Sequence, residues 1–191
     1  MNAAIIGTTR IALIHFNSLF KHNFKKIYFI SRKKIKAKKF LEENNLSKKK
    51  KIKYNDYDIL NKKNFALINI CVNTDYHHNC LNFLKLSKNS IIVEKPLISI
   101  NIFKNSYKEY LNKLYTKHKK LIVCYPMIYL RKNFLKKFKF KKKINKIEIF
   151  YYTNGKHQYF DIGNDLLPHG LSLVSELIKR DINTKNIKIK I

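Results

Sequence analysis

With 191 residues, of which 45% are hydrophobic, the chain can bury one complete core and part of a second. It has no apolar run near the roughly 18 residues of a membrane span and no basic N-terminal segment of a signal peptide, and its three scattered cysteines fit reduced thiols in the cytoplasm. The net charge of +29 comes from 41 basic residues, of which only four are arginine, the residue that best binds phosphates and base edges. We therefore expect a solvated lysine surface and no membrane or nucleic-acid partner, although a polyanion site stays open as an alternative.

Short β-branched runs alternate with helical patterns over the first two-thirds of the chain, which is typical of βαβ units on a parallel sheet. Six strands are predicted, at Asn2–Ile6, Ile27–Ile30, Ile52–Tyr54, Leu67–Val72, Ile91–Val93 and Leu121–Cys124. Helices are predicted at Ile11–Phe20, at Lys33–Glu43, at Thr74–Leu86 and around the apolar stripe from Phe103 to Leu114. The pattern predicts an α/β fold, a Rossmann-type doubly wound parallel sheet, over residues 1–124.

The organisation changes after residue 124. A helix is predicted at Ile128–Phe138, a strand at Ile147–Thr153, a helix at Asp165–Lys179 and a last strand at Ile187–Ile191. We interpret residues 125–191 as a partial α+β second domain.

The first predicted turn, between strand and helix, has the spacing of a dinucleotide-binding turn. In such turns the first glycine permits a tight bend, the middle one lets the backbone approach a pyrophosphate, and a last small residue lets the helix pack on the strand. Gly7 and Ala12 match the outer positions, while Thr9 replaces the middle glycine. The helix N-terminus at Arg10 and Ile11 can still offer amides to a phosphate, although an ordinary turn could show the same residues.

The second strand is followed by Ser31-Arg32-Lys33-Lys34, where NAD-binding folds usually carry an acidic residue that binds the ribose 2′-hydroxyl. A hydroxyl and cations suit a 2′-phosphate, which a carboxylate would repel. We predict NADP as the cofactor in preference to NAD, with an ordinary lysine-rich surface as the alternative.

Two later motifs extend the pattern: Asn73-Thr74-Asp75-Tyr76-His77 follows the fourth strand, and Glu94-Lys95-Pro96 ends the fifth. Together with the Gly7 turn, they resemble the glucose-fructose oxidoreductase and inositol dehydrogenase family, Gfo/Idh/MocA, over essentially the whole chain. The resemblance implies an NAD(P)-dependent dehydrogenase or reductase that transfers a hydride between the nicotinamide and a hydroxyl or carbonyl of a sugar, cyclitol or nucleotide sugar. The predicted cofactor-binding residues are Gly7, Thr9, Arg10, Ile11, Ser31, Arg32, Asn73, His77 and Glu94.

The resemblance also implies three catalytic residues. Lys95 would hydrogen-bond the reacting oxygen, His169 would be the acid/base, and Asp165 would bind a neighbouring hydroxyl or orient the imidazole. Their i, i+4 spacing puts Asp165 and His169 on one face of a helix, and Pro168 fits its first turn. No metal is expected, because the adjacent His77 and His78 lack ligand-like partners.

Two departures from the family pattern leave alternatives open. Tyr125-Pro126-Met127-Ile128-Tyr129 lacks the arginine found there in many relatives. Of the sheet of the second domain, only the strands Ile147–Thr153 and Ile187–Ile191 are predicted. The resemblance implies that in relatives this domain is a broad sheet that lines the substrate site and often forms the oligomer interface. A homo-oligomer is therefore kept as an alternative to a monomer. The alternatives are a truncated relative that binds cofactor without turnover and, from another class, a basic nucleic-acid-associated protein.

Overall fold

Six short strands form a parallel sheet in the first part of the chain. They are β1 (Asn2–Ile6), β2 (Lys26–Ile30), β3 (Ile52–Asn55), β4 (Leu67–Ile70), β5 (Ser90–Glu94) and β6 (Leu121–Cys124). The computed structural model describes residues 1–84, 89–99, 107–126, 147–150 and 168–175. The chain divides into two units, Met1–Cys124 and Tyr125–Ile191, and the sheet belongs to the first.

The strand order is β3-β2-β1-β4-β5-β6, and every neighbouring pair is parallel. The chain builds outward from β1 to β3 and then returns to the other side of β1, so the order reverses between β1 and β4. In such sheets ligands bind at the carboxyl ends of the strands, beside the point of reversal. The predicted doubly wound α/β fold is confirmed.

Helices cover both faces of the sheet. They are α1 (Arg10–Phe20), α2 (Lys34–Glu43), α3 (Ile59–Lys62), α4 (His77–Phe83) and α5 (Tyr107–Lys117). One core lies under α1 and α2 and contains Phe16, Phe29 and Leu41. The other lies under α3, α4 and α5 and includes Leu81 and Leu114. The central strands β1, β2 and β4 are buried on both faces, which explains why their sequences are mostly apolar.

The structure corrects several predicted elements. The helix α3 was missed, because a single turn is too short to show a helical period. The fourth strand ends at Ile70 rather than Val72, and the predicted helix from Thr74 begins as a 3₁₀ turn, Thr74–Tyr76, before α4.

In the second unit, residues 147–150, which are the described part of the strand predicted at Ile147–Thr153, are not in a strand. Residues 168–175 are helical, which agrees with part of the helix predicted at Asp165–Lys179. The predicted helix Ile128–Phe138 and strand Ile187–Ile191 lie outside the described residues. Among the described helices, none is long and apolar enough to cross a membrane.

Candidate functional site

The chain leaves β1 through Gly7, at the point where the strand order reverses. Its φ is +130°, and a Cβ added there would lie 2.5 Å from the carbonyl oxygen of Cys71, just past β4. Both the backbone conformation and this close approach require glycine. The turn therefore brings the N-terminus of α1 to the edge where the carboxyl ends of the strands meet.

The middle position of the turn is Thr9, whose hydroxyl donates a hydrogen bond to the Cys71 carbonyl at 2.9 Å. Although Thr9 is the N-cap of α1, its side chain makes no capping hydrogen bond. The hydroxyl thus links the turn to β4 and does not occupy the first-turn amides, which suit an anion. Arg10, the first residue of the helix, is exposed, and Ile11 packs against the core below it.

The loop after β2 directs one predicted residue inward and one outward. Ser31 is buried, and its hydroxyl donates to the Lys33 carbonyl at 2.6 Å. Arg32 is exposed, and its guanidinium carbon lies 4.8 Å from the centre of the Tyr76 ring, in the 3₁₀ turn after β4. Since β1 lies between β2 and β4, the Arg32–Tyr76 pair spans the carboxyl end of β1.

His77, the first residue of α4, is only 1% exposed. Its Nδ1 lies 2.9 Å from the Pro96 carbonyl oxygen and its Nε2 lies 3.0 Å from that of Val72. Burial lowers the pKa of His77, although the backbone carbonyls act in the opposite direction. A neutral imidazole has one N–H, so it donates to one of the two carbonyls at a time. In the tautomer with its proton on Nδ1, the ring donates to Pro96 and links α4 to the segment that follows β5. Asn73, where the 3₁₀ turn begins, is exposed.

A second polar group lies beneath the carboxyl ends of β4, β5 and β6. Register pairs Asn69 with Ile92 and Glu94 with Cys124, and alternation along each strand places Asn69, Glu94 and Cys124 on the face that α1 covers. His15 of α1 meets them there. Its Nε2 lies 2.5 Å from Glu94 Oε1, and the Asn69 amide donates to its Nδ1 at 2.9 Å.

These contacts set the charges in the group. Burial acts to raise the pKa of Glu94, but the hydrogen bond and charge of His15, helped by the Cys124 thiol and the Lys95 amide, hold it below its usual range. Burial and then the Glu94 charge raise the pKa of Cys124 to about 11. At neutral pH Glu94 is therefore an anion, and Cys124 is a neutral thiol that donates to it.

His15, Glu94 and Cys124 also form a group, within the described ranges, whose ligand atoms all lie within 4.8 Å of one another. Such a set has the chemistry of a zinc site. The sequence predicted no metal, and that stays a prediction. In the structure, His15 and Glu94 bond to each other.

The predicted catalytic residues lie in different parts of the chain. Lys95 is partly buried directly after β5, and the peptide bond between Lys95 and Pro96 is cis. His169 is in the helical residues of the second unit, where its carbonyl accepts a hydrogen bond from the Ser172 hydroxyl at 2.9 Å. Asp165 lies outside the described residues.

Sequence reasoning missed His15 and Asn69. The signal that could have found them is a polar residue within an otherwise apolar element, since the run Ile11 to Phe16 is interrupted by His15 and the strand Leu67–Ile70 contains Asn69. Buried polar groups need partners, so each indicates a polar contact.

Comparisons with known proteins agree with this geometry. The family described as "Oxidoreductase family, NAD-binding Rossmann fold", Gfo/Idh/MocA, has a sequence model that matches residues 1–127. A search of curated proteins finds no match. Similar solved structures include a protein described as a myo-inositol dehydrogenase from Sinorhizobium meliloti, with a TM-score of 0.64, 13% identity, and coverage of 95% of this chain and 56% of that one.

Another similar structure is the myo-inositol dehydrogenase from Lactobacillus casei in complex with NAD(H) and myo-inositol, with a TM-score of 0.52 and 15% identity. That match covers 72% of this chain and 41% of that one. The chain thus spans about half the length of these structures. At such low identity the likeness shows the fold.

Proposed function

The chain belongs to the Gfo/Idh/MocA oxidoreductase family, and from this premise we propose that it forms the cofactor-binding part of an NAD(P)-dependent enzyme acting on a sugar, cyclitol or nucleotide sugar. The observation that carries the proposal is the turn at Gly7, which brings the N-terminus of α1 to the point where the strand order reverses. Lys95 follows β5 at the same edge of the sheet. We assign residues 1–124 to cofactor binding and residues 125–191 to the substrate and oligomer interface.

The residues at this edge fit a phosphate-rich dinucleotide. The amides that begin α1, with Gly7 and Thr9, would hold the pyrophosphate, since a helix N-terminus carries partial positive charge. The β1–β3 half of such a sheet binds the adenosine side of the cofactor, and the β4–β6 half binds the nicotinamide side. Arg32 would therefore lie at the adenosine ribose and Lys95 near the nicotinamide. When bound, the nicotinamide supplies the hydride chemistry.

The protein's own residues would bind, orient and exchange protons. Lys95 would donate a hydrogen bond to the reacting oxygen of the substrate and stabilise its developing negative charge. His169 would take up or release the proton of that hydroxyl, and Asp165 would orient the imidazole or bind a neighbouring hydroxyl. These three roles follow from the family resemblance.

We also propose that NADP is preferred over NAD. The support is the exposed guanidinium of Arg32, held over Tyr76 at the end of β2, with no carboxylate in Ser31-Arg32-Lys33-Lys34. The hydroxyl of Ser31 donates to the Lys33 carbonyl. Ser31 would therefore help to bind the 2′-phosphate by holding the conformation of the loop that carries Arg32. The three free cysteines support a cytoplasmic location, where thiols stay reduced.

Fluorescence titration of NADPH into the purified chain tests the proposal, with Lys95→Ala as the variant. The matched control is Lys119→Ala, an exposed lysine before β6 at the opposite edge of the sheet. We expect saturable binding that Lys119→Ala leaves unchanged and Lys95→Ala weakens. A folded chain that binds neither NADPH nor NADH would overturn the proposal. Nicotinamide absorbance with a panel of sugars, cyclitols and nucleotide sugars then identifies the substrate class.

One alternative retains an observation in its favour, namely the net charge of +29. A basic nucleic-acid-binding protein would bind arbitrary duplex DNA tightly, with an affinity that falls steeply as salt rises. On α2, however, Lys38 and Lys39 pair with Glu42 and Glu43 at 3.7 Å on an exposed surface, as in an ordinary solvated helix face. We expect weak DNA binding, which a salt titration measures.

A further inference from the structure

We propose that His15 and His77 are positioning residues for Lys95, holding its two neighbours from elements on opposite faces of the sheet. His15 belongs to α1 and holds Glu94, whereas His77 belongs to α4 and holds Pro96. The two contacts flank Lys95 on either side along the chain. We call these two contacts the clamp. Its effect on the reaction rests on the proposed function of Lys95, whereas its effect on the backbone of residues 94–96 does not.

The first contact fixes the last residue of β5. The bond from His15 Nε2 to Glu94 joins an imidazole to a carboxylate, and the Asn69 amide holds the other ring nitrogen, so the ring cannot turn without losing a partner. Because Asn69 donates to Nδ1, the proton of a neutral ring is on Nε2, facing Glu94. The side chains are 12% and 13% exposed, so water competes little for either group.

The second contact fixes the backbone just beyond Lys95. His77 lies between the carbonyls of Val72 and Pro96, and in the tautomer with its proton on Nδ1 it donates to Pro96. That hydrogen bond joins the segment after β5 to α4. The next residues, Leu97 and Ile98, are buried in the core on the α4 and α5 face. The chain around Lys95 is therefore anchored before it, directly after it and again downstream.

Such anchoring determines where the long lysine side chain can reach. The flexible side chain has many rotamers, so its ammonium is placed accurately only if the backbone from which it starts is fixed. A catalytic lysine misplaced by about 1 Å can lose about a hundredfold in rate. The clamp thus gives the two histidines a role that does not require contact with the cofactor or the substrate.

Two measurements on the full chain test the proposal with the variants His15→Ala and His15→Gln. The matched control is His22→Ala, an exposed histidine just beyond the end of α1. Hydrogen exchange reports on the amides of residues 95 and 97–99 without any ligand. Titration compares NADPH with adenosine 2′,5′-bisphosphate, which carries only the adenosine half of the cofactor.

We expect His15→Ala to speed exchange in residues 95–99 and to weaken NADPH binding, each about fivefold, as loss of one net hydrogen bond would. Exchange in β2 and binding of the adenosine fragment should not change, and His15→Gln should restore part of the loss, because its amide can also donate to Glu94. Unchanged exchange in residues 95–99, or equal weakening of both ligands, would overturn the clamp. Faster exchange in a chain that binds neither ligand would leave the clamp standing and remove the proposed function instead.

Discussion

Replacing Arg32 by alanine should weaken the binding of NADPH far more than that of NADH. The guanidinium is exposed at the carboxyl end of β2, where a dinucleotide fold places the ribose of adenosine. Its stacking on Tyr76, at 4.8 Å from the ring centre, holds the cation in place while leaving its N–H groups able to reach a phosphate. Only NADPH carries the 2′-phosphate that would receive them.

The magnitude follows from the interactions that the variant removes. A charge-assisted hydrogen bond contributes about 1.5–3 kcal/mol, so Arg32→Ala should weaken NADPH roughly ten- to hundredfold. An exposed cation–π contact contributes about 0.5–1 kcal/mol, so Tyr76→Leu should weaken NADPH only about two- to fivefold. In the double variant the losses should not add, because Tyr76 acts through Arg32.

Fluorescence titration at constant salt measures both cofactors, since phosphate contacts depend on ionic strength. The control is Lys49→Ala: Lys49 also lies 4.8 Å over an aromatic ring, that of Phe20 at the C-terminal end of α1. The Lys49→Ala variant removes one positive charge, as Arg32→Ala does, but far from the carboxyl edge of the sheet. It should change the affinity for neither NADPH nor NADH. If Arg32→Ala weakened NADH and NADPH equally, the assignment of the 2′-phosphate to this guanidinium would be wrong.

Three other outcomes are expected. In urea unfolding, Gly7→Ala should lower the free energy of unfolding by at least about 2 kcal/mol, because φ is positive and the added Cβ would clash with the Cys71 carbonyl after β4. An unchanged free energy of unfolding would mean that the turn rearranges freely. His118, just after α5, is buried like His77, and its Nε2 lies 3.0 Å from the Leu81 carbonyl oxygen. Burial lowers the pKa of both histidines, so between about pH 7.5 and 5.5 the unfolded chain binds protons that the folded chain does not. The free energy of unfolding should therefore fall as the pH drops through this range, by at most about 1.4 kcal/mol per pH unit for each group. His77→Gln should flatten this slope, and a slope unaffected by it would exclude His77 as a source. Metal analysis after incubation with zinc should find no stoichiometric ion, because His15 and Glu94 bond to each other. If the chain instead held one equivalent of zinc and the Cys124→Ser variant lost it, His15, Glu94 and Cys124 would be established as a metal site.

The arrangement of the sheet could be predicted because its determinants are local. Most strands are short apolar runs bounded by polar residues, and parallel strands joined by helices have few allowed orders. The turn at Gly7 marks where the order reverses. Lys95 directly follows β5 and Arg32 lies two residues after β2, so both could be assigned to the carboxyl edge from sequence. The one-turn helix α3 could not be predicted, since its four residues carry no periodic signal.

The contacts around Glu94 could not be predicted for a different reason. His15 lies 79 positions from Glu94 and 54 from Asn69 along the chain. Their meeting depends on the register of β4 against β5 and on the rotation of α1 over the sheet, and neither leaves a trace in a local pattern. The orientation of the Ser31 side chain could not be predicted either. Whether its hydroxyl faces a ligand or the Lys33 carbonyl depends on the conformation of the loop.

The same reasoning separates functional cations from the many others in a chain of net charge +29. A lysine on a solvated helix face, such as Lys38, makes only an exposed ion pair and contributes a field that salt screens. Arg32 is stacked on a ring, and Lys95 starts from a backbone that we propose is clamped on both sides, so each has lost much of the freedom that a bound phosphate or substrate oxygen would otherwise have to remove. Binding at this edge should therefore depend on two held cations more than on the total charge, and neutralising distant lysines should leave cofactor affinity nearly unchanged.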